Sequence, residues 1–285
     1  MIDTILVTGA TGSTGQAAIR SLIARGAAPT VMVRRGSDLE RMPDGVAGHV
    51  IADFDDHDSV RRALDGVRRA YLVTPSSERA EAQQLGFVDA AAAAGLEHLV
   101  VLSQLASRAD SPVRFLRYHA AVEARVDELG LSRTFLRPNL FFQGLLGFRE
   151  LIAGGVLPAP IGEARVSAID VRDIGEAAAV TLTEPGHAGR TYDLTGPESL
   201  THADMADAFA EALGTPVQFV DTEPSAFAAA LEGVLPPWQV AGTIEDYAHY
   251  RAGEAAAVSD DIPKLTGHPG RTFRDFAREH FAPAA

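Results

Sequence analysis

The sequence has no cysteine and a single lysine, Lys264; every other basic residue among its 25 is arginine. Without cysteine there is no disulfide, no thiolate nucleophile, no thiolate-ligated zinc and no iron–sulfur cluster, so redox chemistry requires a borrowed cofactor. One lysine leaves one candidate for any chemistry that needs an amine. Positive charge is scarce overall: the formal charge is −13 over 285 residues, and no basic run exceeds two residues. Such a chain is repelled by phosphate backbones, which argues against nucleic acid as a direct ligand. Long apolar runs are missing as well. The longest small-apolar stretch, Ala90 to Ala94, falls far short of the roughly 20 residues of a membrane span, and the opening Met1-Ile2-Asp3-Thr4-Ile5-Leu6-Val7 has neither a basic region nor a cleavage site. The reading is a soluble, cytoplasmic protein, a monomer or homodimer with a small-molecule partner. The nine histidines show no H-x-x-x-H or H-E-x-x-H spacing, so no metal is expected.

What is present is an apolar share of 46%, ample for a core, arranged as short β-branched runs alternating with helical patterns. Strands are expected at 5–7, 30–33, 50–51, 70–73, 99–102, 134–136 and 190–194. Helices fall between them at 16–25, with Gly26 as its cap, and at 58–64, 78–94 and 117–128. Continuous apolar runs suit strands covered on both faces, which implies an α/β fold with a doubly wound parallel sheet. Residues 139–168 break this rhythm with glycine and proline, and helices follow at 203–213, 224–232, 237–251 and 273–281. The expected organisation is a doubly wound core of residues 1–138 and 166–200 and a small lobe of 139–165 and 201–285, together one structural unit.

Between the first strand and its helix lies Thr8-Gly9-Ala10-Thr11-Gly12-Ser13-Thr14-Gly15. Glycines at this spacing permit a tight turn and close approach of backbone to a pyrophosphate, while the helix N-terminus offers free N–H groups. At the end of the second strand an NAD-selective site places an acid for the ribose 2′-hydroxyl. This chain has Arg34 and Arg35 there, which match a 2′-phosphate and favour NADP(H); the bland alternative is a solvated loop. Asp53 and Phe54 are candidates for the adenine amino group and ring face, and Thr74 and Pro75 for the cofactor lining. Either pair is also ordinary turn chemistry.

With these motifs, and with Leu136-Arg137-Pro138-Asn139-Leu140-Phe141 and Ala168-Ile169-Asp170-Val171-Arg172-Asp173-Ile174, the chain resembles the NmrA-like branch of the atypical short-chain dehydrogenase/reductases. The resemblance implies a Rossmann core with a small C-terminal substrate lobe, built from 139–165 and 201–285, and NADPH as ligand, held by Gly9, Thr11, Gly12, Ser13, Thr14, Gly15, Arg34, Asp53, Phe54, Thr74, Pro75, Ser103, His119, Pro138 and Asn139. That superfamily's Tyr-x-x-x-Lys pair aligns with Phe115 and His119, so both members of the proton relay are absent, while Glu123 keeps the glutamate that follows in extended members. Ser103 takes the serine position. Three readings of His119 remain open: a cofactor hydrogen bond, proton donation from an imidazole of ordinary pKa about 6.5, or a helix-start residue without chemistry. Tyr118 is a second candidate donor.

Asp170 and Asp173 resemble a catalytic pair, but Asp173 reads better as the cap or first turn of an apolar helix. Trp238 is either an aromatic wall for a flat substrate, with Phe227, Tyr247 and Tyr250, or core. Phe141, Phe142 and Phe148 are lobe core or pocket lining. The expected function is NADPH-dependent reduction of a small conjugated electrophile, such as a quinone, imine, azo compound or enone. Such acceptors take hydride readily and collect their proton from water. The alternatives are an NADP(H)-sensing regulatory protein without catalysis and a biosynthetic tailoring reductase or isomerase.

Overall fold

The computed structural model describes residues 4–283, so Met1, Ile2 and Asp3 of the opening segment lie outside the described residues. The first half runs β1 (Ile5–Val7), α1 (Ser13–Ala24), β2 (Thr30–Val33), β3 (Gly48–Ile51), α2 (His57–Ala63), β4 (Arg69–Leu72), α3 (Ala80–Ala93), β5 (His98–Leu102), α4 (Arg114–Glu128) and β6 (Arg133–Pro138). The second half continues with α5 (Arg149–Ala153), β7 (Val156–Ala159), β8 (Arg165–Val166), α6 (Val171–Thr183), β9 (Arg190–Leu194), β10 (Leu200–Thr201), α7 (His202–Leu213), β11 (Gln218–Asp221), α8 (Pro224–Leu231), α9 (Pro237–Arg251), α10 (Asp261–Thr266) and α11 (Phe273–Phe281).

Seven strands form one parallel sheet in the order β3-β2-β1-β4-β5-β6-β9. Side chains alternate across it, as a period of two demands. Val7, Val31, Tyr71, Val100 and Leu136 face α1 and α6, whereas Leu6, Met32, Leu72, Val101 and Phe135 face α2, α3 and α4. Both faces are therefore dry, which explains the unbroken apolar runs in the sequence. On the α1 side, a Cβ at Gly175 of α6 would lie 2.5 Å from the backbone of Ala17, so the two helices touch nearly backbone to backbone.

Several boundaries differ from the pattern reading for local reasons. Helix α1 begins at Ser13, since Gly12 caps it and the glycines do not break it; Gly26 follows with φ +80°, and Ala27 N–H returns to the Leu22 carbonyl. Helix α4 begins at Arg114, because the Arg114 N–H is satisfied by Glu245 at 2.7 Å, and His119 thus sits in its second turn rather than at its start. Helix α10 holds Pro263 within its first turn, where a missing N–H costs nothing, and was not expected from the sequence.

The 139–168 segment has secondary structure of its own that is completed by distant residues. β7 pairs with β11 and β8 with β10, and Leu145, Ile152, Leu157 and Ile161 share a core with Phe209, Phe227, Tyr247, Phe273 and Phe276. Phe142 lies in this core, 5.1 Å from Phe273. Helix α10 does not join it; Ile262 packs with α6 and β9 residues against the parallel sheet.

The strand order reverses between β1 and β4, and Thr8 ties that point together. Its buried hydroxyl faces the carbonyls of Tyr71 and Val73 at 3.0 and 2.9 Å and accepts from the Val73 N–H at 2.8 Å. Thr8→Val keeps the shape and leaves a buried N–H unpaired, and is expected to destabilise the fold by about 1–3 kcal/mol in urea unfolding.

Candidate active site

The switch point opens into a cleft of about 280 Å³ at the carboxyl ends of the strands, where open α/β sheets hold ligands. The glycine loop reaches it through Thr14. Gly9 has φ +58°, a conformation that favours glycine, and a Cβ there would lie 2.9 Å from the Val73 carbonyl oxygen. At Gly15 a Cβ would stand 2.2 Å from the Gly9 carbonyl oxygen, so helix and loop touch backbone to backbone. No side chain caps α1 and no acid lies in its first turn, which leaves the N-terminal N–H groups and the positive helix end for an anion. Thr14 lines the cleft directly, and the Thr11 carbonyl accepts from Arg41 at 3.0 Å.

Arg34 and Arg35 are exposed just past β2, and Arg41, at the end of the following 3-10 turn, joins them by reaching back to the loop. Arg41 gave no sequence signal, since the turn that returns it is built from Gly36-Ser37-Asp38. Asp53 engages its own turn, its carboxylate accepting from the Asp55 N–H at 3.0 Å. Phe54 is buried at 8% exposure in the core, in a T-shaped pair with Phe87 at 6.0 Å, and does not line the cleft. A pattern reading cannot separate these roles, because an aromatic just past a strand serves either. Thr74 is in the cleft, held by the Gln84 amide at 2.8 Å, while Pro75 is exposed beside it.

Beyond β5 and β6 the cleft is lined by Ser103, Phe115, Tyr118, His119, Pro138 and Asn139. Ser103 donates to Glu123 at 2.6 Å, and Glu123 also receives the Arg137 guanidinium, through Nε at 2.9 Å and through Nη2. The serine proton is therefore committed inward. Asn139 is similarly occupied, donating to Ser167 Oγ and the Ala255 carbonyl, both at 2.9 Å, while its oxygen accepts from Leu140 N–H at 2.8 Å. Both amide N–H donors are thus used within the protein, where they latch β6 to the lobe. Phe115 fills the position of the missing phenol with packing: a Cβ at Gly242 of α9 would lie 2.2 Å from its ring, and Trp238 is 5.1 Å away. Trp238 thus stacks on α4, near Tyr118 at 6.3 Å, and not with Phe227, Tyr247 and Tyr250, which form a separate aromatic row.

Burial pushes the His119 imidazole down to about 3, so it is neutral at physiological pH, and its Nδ1 is buried without a partner. Burial also pushes the Tyr118 phenol up, with the nearby Asp246 charge adding to the effect. Asp246 itself, on α9, was missed by the sequence reading. Burial raises its carboxyl to about 7 against hydrogen bonds from Gln104 and Tyr250. Asp170 and Asp173 lie elsewhere. Asp170 is the N-cap of α6 and is paired with Arg172, whereas Asp173, fully buried in the first turn, accepts from the Arg271 N–H at 2.8 Å and from its guanidinium. Lys264 is exposed on α10 and pairs with Asp260 at 2.5 Å. No helix of the described residues is long and apolar enough to cross a membrane.

The NmrA-like family profile matches residues 1–264. The chain belongs to the NmrA-like family. It is 33% identical over 280 residues to an NAD(P)H azoreductase of Xenophilus azovorans, covering 98% of each chain. It is 35% identical over 289 residues to a (4-alkanoyl-5-oxo-2,5-dihydrofuran-3-yl)methyl phosphate reductase of Streptomyces griseus, covering 98% of this chain and 99% of that one. Among solved structures, the NADPH complex of an NADPH-dependent quinone oxidoreductase from Escherichia coli superposes with a TM-score of 0.89 at 25% identity, over 98% of this chain and all of the other. The fold is thus shared with proteins named as NAD(P)H-dependent reductases.

Proposed function

We propose that this NmrA-like protein is an NADPH-dependent oxidoreductase that reduces small conjugated electrophiles of the quinone and azo classes. The observation that carries the reading is the glycine loop, where a Cβ at Gly15 would meet the Gly9 carbonyl at 2.2 Å below an uncapped helix terminus. That cradle, with its free N–H groups, fits a pyrophosphate. His119 and Gln84 line the cleft, and their Nδ1 and Oε1 atoms are buried without a partner in the protein, as polar groups beside a ligand site can be. The reductase names of the relatives support the assignment.

In this reading the N–H groups of Ser13 and Thr14 hold the pyrophosphate, and Arg34, flanked by Arg35 and Arg41, holds the 2′-phosphate. Bound there, a reduced nicotinamide supplies hydride. Neutral His119 hydrogen-bonds in the cleft and orients without titrating. The Ser103–Glu123–Arg137 set fixes the floor, and Phe115, Trp238 and Tyr118 close the side against water. Holding the donor and a flat acceptor in contact and dry is most of the protein's task. Arg34→Ala is expected to weaken NADPH binding by roughly ten- to a hundredfold, as loss of a charge-assisted contact does, and to leave NADH affinity in place. Calorimetric titration with both nucleotides checks it; equal loss for the two would place Arg34 outside the 2′-phosphate site.

A further inference from the structure

A second cavity of about 650 Å³ opens behind the cleft, between the 144–151 segment and helices α8 and α9. Its walls are largely apolar, with Leu145, Phe148, Phe227, Leu231 and Leu235 among them, and it is wide enough for a flat bicyclic or diaryl molecule. Leu140, Asp246 and Tyr250 line both spaces, so they form the boundary the two share. Asp246 is the one carboxyl there. It is held by Gln104, whose amide donates to both its oxygens at 3.0 and 3.2 Å, and by the Tyr250 hydroxyl one helical turn on. Gln104 in turn sits at the start of a short turn, closed from Ser107 N–H to its carbonyl at 3.1 Å, in which Ala106 adopts φ +61°. A left-handed alanine beside the site indicates that the position of this segment is imposed.

We propose that Asp246 is the proton donor for acceptors that become anionic on taking hydride, the quinone carbonyl and azo classes, and that they enter through the apolar cavity. The inference rests on the reductase reading above. In the balanced step, two electrons and one hydrogen pass as hydride from the reduced nicotinamide to the acceptor. The acceptor's π bond shifts onto oxygen or nitrogen, the Asp246 O–H bond breaks, and a new O–H or N–H bond forms. Water reprotonates the carboxylate. The nicotinamide is oxidised and the acceptor reduced.

The surroundings of Asp246 favour the protonated form. On its own helix stand Glu245, Tyr247 and Tyr250, on α4 Tyr118, and on the β5–α4 segment Gln104; among the described residues no cation faces it. Glu245 is engaged by Arg114 at 2.7 Å, and its remaining charge disfavours ionisation of Asp246. Of the titratable groups lining the cleft, His119 is held neutral and Tyr118 and Tyr250 are raised, whereas Asp246 is pushed up to about 7, where a general acid is effective.

The test compares wild type and Asp246→Asn, each loaded with NADPH, on a quinone and on a cationic triaryl dye. The dye becomes neutral on taking hydride and needs no proton. The expected result is a loss of about a hundredfold in kcat for the quinone, a loss of no more than a few-fold for the dye, NADPH affinity within twofold, and disappearance of the basic limb from the quinone pH profile. Infrared difference spectra of the wild type, with no acceptor present, are expected to show a protonated carboxyl that persists to near-neutral pH and is missing in Asp246→Asn. Equal quinone rates, no such carboxyl, or a greater loss on the dye overturns the proposal; the last would make Asp246 an anionic anchor for cations. Wild-type protein that binds NADPH and reduces neither acceptor overturns the reductase reading, and the infrared result still reports on Asp246 alone.

Discussion

Gly15→Ala is expected to lose about a hundredfold or more in NADPH affinity. The added Cβ meets the Gly9 carbonyl oxygen at 2.2 Å, its carbon at 2.8 Å and the Ala10 Cα at 3.1 Å. All three are backbone, so no side chain can rotate away. The loop has nowhere to retreat, since Gly9 is already against Val73 and the Gly12 N–H is bonded to the Gly9 carbonyl at 2.9 Å. Overpacking of this kind costs about 1–3 kcal/mol in stability, and the displaced helix N-terminus re-aims the N–H groups that would hold the pyrophosphate. A loss of about 3 kcal/mol in binding corresponds to a factor of about a hundred. Calorimetry with NADPH reads the affinity, and a thermal melt shows how much of the change is folding. Gly48→Ala is the control, because a Cβ there meets open space. Unchanged affinity in Gly15→Ala would remove the glycine loop from the cofactor site.

Folding is expected to suffer most in Glu123→Ala, by about 3–5 kcal/mol, the range for breaking a buried ion pair from one side. The Glu123 side chain is 9% exposed and that of Arg137 27%. Removing the carboxylate strands a guanidinium beneath the cleft and takes the acceptor from Ser103, whose bond is 2.6 Å. Since whole domains are stable by only about 5–15 kcal/mol, this is a large share. Glu123→Gln keeps an acceptor for Ser103 and is expected to lose less. Denaturant midpoints of the two variants measure the difference, and a change under about 0.5 kcal/mol in Glu123→Ala would show that the set contributes nothing to the fold.

The sheet was legible because its inner strands β1, β2, β4 and β5 are buried on both faces, while the edge strands β3 and β9 are largely exposed. Val7 and Leu6 announce burial on opposite sides without any knowledge of partners. The glycine loop was legible for the same reason: Gly9, Gly12 and Gly15 are required by contacts within a single strand–turn–helix unit. Legibility ended where a side chain's task depends on a distant partner. Nothing in Asn139 shows that its amide is taken by Ser167 and Ala255, and nothing in Phe54 shows that Phe87 covers its ring. Asp246 lies within Glu245-Asp246-Tyr247, where it reads as one more acid in an acidic chain; only the docking of α9 on α4, through Gly242 and Phe115, places it at the cleft. The short strands of the lobe were hidden likewise, since β7 and its partner β11 are about sixty residues apart.

The central claim is that the cleft carries out hydride transfer from NADPH. The most direct measurement mixes protein and NADPH anaerobically with a quinone and follows the absorbance of the reduced nicotinamide. The account predicts consumption of NADPH in equal amount to the quinone, at a rate proportional to protein concentration and sharply reduced in Gly15→Ala. Tight binding of both NADPH and NADP⁺ with no consumption above the protein-free rate would contradict it, and would identify a nucleotide-sensing protein instead.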